Sequence, residues 1–353
     1  MRLFRLFGLT LLLAGAFVSG SRADSPAPFK IGVLYWSMNI PGQVAMRKGV
    51  EAAAERINAD ARKRGEREVV LFAHVAGDGP TGIENQIAQM QAVVATKPDA
   101  IIVQPTDNAA LTLPLKAANA AAIPVIAYDQ YISGGKLAAY VTSDNRQAGY
   151  LGGEYLAAAF PGNTPLRLVL VEYPLVSSTV ERLNGFLDAL RDHGKPFKIL
   201  KTYQAVEPLG GKRAGSAILR DFPAPGSVDA IFTVNDGGGL AVVDALASAG
   251  RSEIAIATVD GDPASVENIR SKRLTRIDAA QFCGPIGETA MNAAYAILRG
   301  KTVTPQILIP VFPITAETLG RYPGWAGPIP SPFEKPWPAR QKTWKGDISG
   351  VGR

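Results

Sequence analysis

Acidic, amide and aromatic side chains recur at one kind of place in this chain, directly after short runs of apolar residues. Trp36 and Asn39 follow the run FKIGVLY, Gln104 follows DAIIV, and Asp129 follows PVIAY. Ser143 lies in VTSDN, Tyr173 follows LRLVLVE, Asn235 follows DAIFTV, and Asp260 follows IAIATV. Gln281 stands where the chain turns after one more such run. A carboxylate accepts hydrogen bonds from two neighbouring hydroxyls, and an amide is donor and acceptor together, as a hydroxyl is. Amides, carboxylates and one aromatic from each half of the chain therefore suit a neutral polyhydroxy ligand. Asp129 and Asp260 could also be the acid pair of a glycosidase. Ground-state hydrogen bonding is the better reading, because nothing in the sequence points to an activated water.

The runs themselves are apolar throughout and alternate with segments such as QVAMRKGVEAAAERINADARKRG and TVERLNGFLDALRDHG, whose apolar residues recur at helical spacing. Strands without a polar face, separated by helices, belong to a parallel sheet covered on both sides. Two such blocks, residues 30–145 and 145–280, predict two doubly wound α/β lobes. In such sheets ligands lie beyond the carboxyl ends of the strands, which is where the polar residues stand. A helix over 285–300 and a strand over 306–312 follow. From Pro313 the composition turns to Pro, Gly, Trp and Lys without periodicity. That tail is either an extended strap or partly disordered, and both readings stay open.

At 353 residues, 47 % of them hydrophobic and 19 % charged, the chain has room for two ordinary cores. Arg2 and Arg5 precede an apolar run from Leu6 to Val18, and Ser21 and Ala23 occupy the small positions of a cleavage site. Residues 1–23 thus read as a secretory signal peptide cut near Ala23, and the mature chain as a soluble protein of the Gram-negative periplasm. Its removal takes the 37 basic residues to 34 against 31 acids, a mild net +3. No basic cluster with interleaved aromatics occurs, so nucleic acid is not an expected partner. The lone Cys283 cannot form an internal disulfide, and His74 and His193 lack neighbours at metal-ligand spacing, so neither metal nor cofactor is expected. Gly77 to Gly82 spells G-x-G-x-x-G, but after the second strand, and Pro80 removes an N–H from it, so it reads as a glycine-rich turn and helix cap. Neither a G-x-S-x-G elbow nor H-E-x-x-H is present.

Seven motifs, in order, carry a resemblance: DAIIVQPTD (99–107), IPVIAYD (123–129), VTSDNRQAG (141–149), ERLNGF (181–186), AIFTVNDGGGL (230–240), TVDGDP (258–263) and AAQFCGPIG (279–287). Over roughly residues 29–310 the chain resembles a type I periplasmic binding protein of the ribose-binding kind, the soluble capture subunit of an ABC sugar importer. The resemblance implies sugar contacts from Asp129, Ser143, Arg182, Asn235, Asp260 and Gln281, and hinge crossings near 143, 281 and 310. Residues 24–143 with 282–310 would form the first lobe, and 144–281 with 311–353 the second. It also implies a monomer that captures a monosaccharide or related polyol, catalyses nothing, and docks on an inner-membrane ABC permease. The competing reading of Asp129 and Asp260 is helix capping, at which Asp is favoured. A sensing role for a chemoreceptor or kinase would share every site residue. A sugar-responsive repressor would need a DNA-binding segment where the signal peptide lies.

Departures from the family pattern point to a re-tooled pocket. Ile40-Pro41-Gly42-Gln43 stands for Asn-Pro-Phe-Phe, Gln104 for an Asn, and Gln130 for an Arg. Gln43 thus takes the place of a clamping aromatic. Trp36 and Tyr173 replace small polar and aliphatic residues. Alternation along the first strand puts Tyr35 in the core and Trp36 on the cleft, as a displaced stacking platform.

Overall fold

A computed structural model describes residues 26–351, so the segment read as a signal peptide lies outside the described residues. Strands β1 (Phe29–Tyr35), β2 (Val69–Val75), β3 (Ala100–Val103), β4 (Val125–Tyr128) and β5 (Ala139–Ser143) alternate with α1 (Pro41–Arg64), α2 (Gly79–Ala95) and α3 (Thr112–Ala120). After α4 (Asn145–Ala159) the pattern resumes with β6 (Leu166–Glu172), α5 (Ser177–Asp192), β7 (Phe197–Gln204), α6 (Pro208–Asp221) and β8 (Ala230–Thr233). It closes with α7 (Asp236–Ser248), β9 (Ala255–Asp260), α8 (Pro263–Arg270) and β10 (Thr275–Ala280). The chain then returns through α9 (Cys283–Leu298) and β11 (Gln306–Ile309) to the first sheet, and through β12 (Phe312–Ile314) to the second.

The two sheets repeat one topology, in the orders β2-β1-β3-β4-β5-β11 and β7-β6-β8-β9-β10-β12. Within these six-strand orders every pairing is parallel except that of β12, which runs against β10 at the edge. The apolar character of β1 is explained by burial on both faces. Ile31, Val33 and Tyr35 pack with Met46 and Val50 of α1 and Ile286 and Ala290 of α9. Leu34 faces the other way, among Met90 and Val93 of α2. A Cβ at Gly32 would stand 2.4 Å from Val93 Cγ1, so this glycine lets α2 lie close on the sheet. Cys283 is buried in the same core as Tyr35, as a small packed residue.

The tail is a strap. It forms a short hairpin of β13 (Phe333–Glu334) and β14 (Thr343–Trp344), then ends in β15 (Ser349–Val351). β15 pairs antiparallel with β11 of the first sheet, so assigning all of 311–353 to the second lobe is wrong for its last strand. The reason is physical: β11 is otherwise a bare sheet edge, and an edge recruits any extended segment within reach. Buried side chains hold the strap. Lys335 Nζ donates to the fully buried carboxylate of Glu154 at 2.5 Å, and Trp337 Nε1 donates to it at 3.1 Å. Trp344 donates from Nε1 to the Val311 carbonyl at 2.7 Å and packs edge-on to Phe312. Trp344→Ala should therefore cost about 3–5 kcal/mol, as large-to-small changes in a core do. Chemical denaturation checks this: an unshifted midpoint would mean the strap adds no packing to the fold.

Candidate functional site

The carboxyl ends of the two sheets face one another, and the residues just beyond them close tightly around a narrow polar cavity of about 20 Å³. The first lobe contributes Trp36 after β1, Gln43 and Met46 from the first turns of α1, and Asp129 and Gln130 after β4. The second contributes Ser178, Thr179 and Arg182 from α5, with Asn235 after β8 and Asp260 at the end of β9. Gln281 enters from the crossing that follows β10.

Arg182 reaches the cavity because α4 and α5 pack backbone to backbone. A Cβ at Gly149 would lie 1.7 Å from the Arg182 carbonyl oxygen, and one at Gly185 would lie 2.0 Å from that of Arg146. The guanidinium is 3 % exposed and largely committed to the protein. Its Nε donates to Asn145 Oδ1 at 2.9 Å, and its Nη1 donates to the Val234 carbonyl and to Asp260 Oδ1, each at 3.0 Å. Asp260 Oδ1 also accepts from Gln281 Nε2 at 2.6 Å, and Gln281 Oε1 accepts from Ser143 Oγ at 2.8 Å. Ser143 and Asn145 belong to one passage between the sheets and Gln281 to another. A single hydrogen-bonded chain thus joins two crossings.

Asp129 is arranged differently. Its Oδ2 accepts from Gln104 Nε2 at 2.9 Å and from Gln130 Nε2 at 2.8 Å, while its buried Oδ1 has no partner. Neither Asp129 nor Asp260 caps a helix; Asp144, Asn235 and Asp262 do that, for α4, α7 and α8. Both acids instead sit at positive φ, 64° and 130°, a conformation that is costly for residues other than glycine.

Four expected contacts do not reach the cavity. Ser143 and Gln104 stand behind it and orient Gln281 and Asp129. Tyr173 stacks on Trp36 from outside, with centroids 6.4 Å apart and planes at 30°. It thus backs the platform rather than forming a second one. Asn39 is exposed at the mouth, donating to Asp78 Oδ2 at 2.7 Å. Asn235 lines the cavity, but its amide is spent on the Gly238 N–H and the Val206 carbonyl. Gln43 lines it too, with Oε1 accepting from the Ser37 N–H. Ser178 and Thr179 line the cavity without being among the residues the sequence points to. They lie four and three residues before Arg182, on its face of α5, and that spacing was the available signal.

Burial dominates the electrostatics. It pushes the Asp260 carboxyl up to about 7, against the opposing pull of Arg182. It also raises Asp129, again against Arg182 and the two amide donors. Behind the cavity, Asp236 and Asp278 lie close together. Burial raises both, and Asp278 is pushed up to about 6.

Two doubly wound lobes shut over a polar cavity define a two-lobed binding protein. A family model for the periplasmic binding protein domain matches residues 31–302, and the chain belongs to that family. It is 27 % identical over 291 residues to the ribose import binding protein of Bacillus subtilis, a match covering 82 % of this chain and 88 % of that protein. To the Escherichia coli ribose import binding protein it is 26 % identical over 295 residues, covering 83 % and 93 %. An ABC transporter solute-binding protein of Agrobacterium vitis, solved with α-D-tagatopyranose, superposes with a TM-score of 0.68 at 25 % identity, covering 82 % and 96 %.

The raised Asp260 carboxyl carries a pH signature. Its folded value of about 7 exceeds the ordinary 3.8, so the folded chain holds a proton there that the unfolded chain has released. The resulting stabilisation is complete below the ordinary value and is lost as pH rises through the folded one. Asp260→Asn should flatten the stability profile across that window, as read from urea midpoints. A variant profile as steep as the wild type would assign the titration elsewhere.

Proposed function

We propose that this protein is the periplasmic solute-binding component of an ABC transporter, and that it captures a monosaccharide or related polyol between its lobes. The observation that carries the reading is the cavity itself. Buried carboxylates, amides and a guanidinium from both lobes converge on one space, with Trp36 on its wall. A site built to hydrogen-bond hydroxyls rejects analogues that lack them, because its own buried groups are then unpaired. Trp36 offers an aromatic face to the C–H side of a sugar ring.

Closure is the working step. Asn108 of the first lobe donates from its backbone N–H to the Leu175 carbonyl at 2.9 Å, and its Oδ1 accepts from the Ser177 N–H at 2.8 Å. The Tyr131 N–H donates to Ser177 Oγ at 3.2 Å. These bonds cross the cleft, so opening it would break them. A ligand touching both lobes adds to them and shifts the population toward the closed form, which an inner-membrane permease then recognises. The lobes would pivot at the passages near 143, 281 and 310. The mature chain, cut near Ala23, would act as a monomer and catalyse nothing.

A thermal-shift panel on the mature chain tests this with pentoses, hexoses, deoxy sugars and polyols, using amino acids and simple anions as controls. A true ligand at 100 times its dissociation constant should stabilise the fold by about 2.7 kcal/mol. Shifts from the controls alone would sink the reading. Trp36→Ala should weaken the best sugar about tenfold, the loss of one aromatic face. Undiminished binding would remove Trp36 from the contact set.

A further inference from the structure

The least satisfied polar atoms among the lining residues of the cavity belong to consecutive residues. Asp129 Oδ1 and Gln130 Oε1 are both buried acceptors without a donor. Their residues line the cavity and are 4 % and 3 % exposed. The Gln130 amide cannot be turned to relieve this. Its Nε2 donates to Asp129 Oδ2 at 2.8 Å, and a flipped amide would set oxygen against carboxylate. Buried acceptors left without donors bear their full desolvation penalty, so the site needs donors from its ligand.

Charge decides what kind of donor. The cavity is lined by two carboxylates, Asp129 and Asp260, and one cation, Arg182. The guanidinium is hydrogen-bonded to Asp260, to Asn145 and to the Val234 carbonyl, whereas Asp129 is met only by the neutral amides of Gln104 and Gln130. A hydroxyl would bring Asp129 one proton and no charge. An ammonium brings three donors on one centre together with a positive charge. It can serve both open acceptors and balance the second carboxylate, which a buried charge requires. Burial holds the Asp129 carboxyl above its ordinary range even with Arg182 nearby, as expected of a carboxylate short of a counter-charge. The starts of α1, α5 and α7 also line the cavity, α5 bringing Ser178 within 3.5 Å of the Gln130 amide, and these helix starts favour the oxygen atoms of the remaining hydroxyls.

We propose that the preferred ligand is a sugar or polyol bearing an ammonium group, seated with its nitrogen between Asp129 Oδ1 and Gln130 Oε1. This rests on the polyol reading above and narrows it.

Calorimetric titration of the mature chain with matched pairs tests it. Hexoses are paired with their amino-deoxy counterparts and inositols with inosamines, at a pH that keeps the amine protonated. At least one amino compound should bind about tenfold or more tightly than its hydroxyl parent. The isosteric Asp129→Asn should erase that preference, weakening the amino compound at least tenfold more than its hydroxyl parent. Should Asp129→Asn fail to fold, the wild-type pairs decide alone. Hydroxyl parents that all bind as tightly as their amino counterparts overturn the proposal and leave the polyol reading standing. A preference that survives Asp129→Asn also overturns it, since the nitrogen then sits elsewhere. Silence from every pair refutes the polyol reading and this one together.

Discussion

Burying a guanidinium against a carboxylate is unfavourable unless the remaining donors and acceptors of both also find partners. Arg182 and Asp260 meet that condition through Nε, Nη1 and Oδ1, which leaves the guanidinium Nη2 and the carboxylate Oδ2 for a ligand. Their side chains are 3 % and 8 % exposed and 3.0 Å apart, and Asn145, the Val234 carbonyl and Gln281 bond to the same Nε, Nη1 and Oδ1 atoms. Through Gln281 the network reaches Ser143. The pair sits on the second lobe, yet its partners lie on two of the passages between lobes, so the polar end of the sheet and the pivot are one hydrogen-bonded unit. Arg182 is thereby a strut first and a ligand donor second. The sequence reading placed Arg182 and Asp260 among the sugar contacts separately, and the bond between them is a demand that no residue pattern announces.

Much of the fold was legible because its cause is local. Strands buried on both faces are apolar at every position, and the helices between them repeat at their own period, so two doubly wound lobes follow from β1 to β10. The site was legible at the level of sheet ends. Direction was not. Tyr173 follows β6 as expected, but its ring turns outward onto Trp36, because position along a strand says where a residue sits and not which neighbour it packs against. Asn39 sits in the turn before α1, whose path is set by Pro41 and by the bond to Asp78. The strap had no period to read: its strands are two or three residues long, and its order comes from isolated buried groups such as Trp337 and Trp344.

The two site acids share a backbone feature that no residue pattern announces. Each leaves its strand at positive φ, and the cost is borne by the bonds around it. For Asp129 those include its own carbonyl, which accepts from Thr142 Oγ1 at 2.8 Å and from Tyr140 Oη at 3.1 Å. The turn of the chain, held in this way, aims each carboxylate inward.

The strap changes what kind of machine the pivot is. After β12 it passes behind the cavity, where Trp325 donates from Nε1 to the Asp260 carbonyl at 2.6 Å, and it is stitched to the other sheet at β15. A pivot of three strands alone could swing until its own backbone resisted. With a fourth run of chain fastened to both sheets, any opening of the proposed kind would be bounded by the slack in that leash.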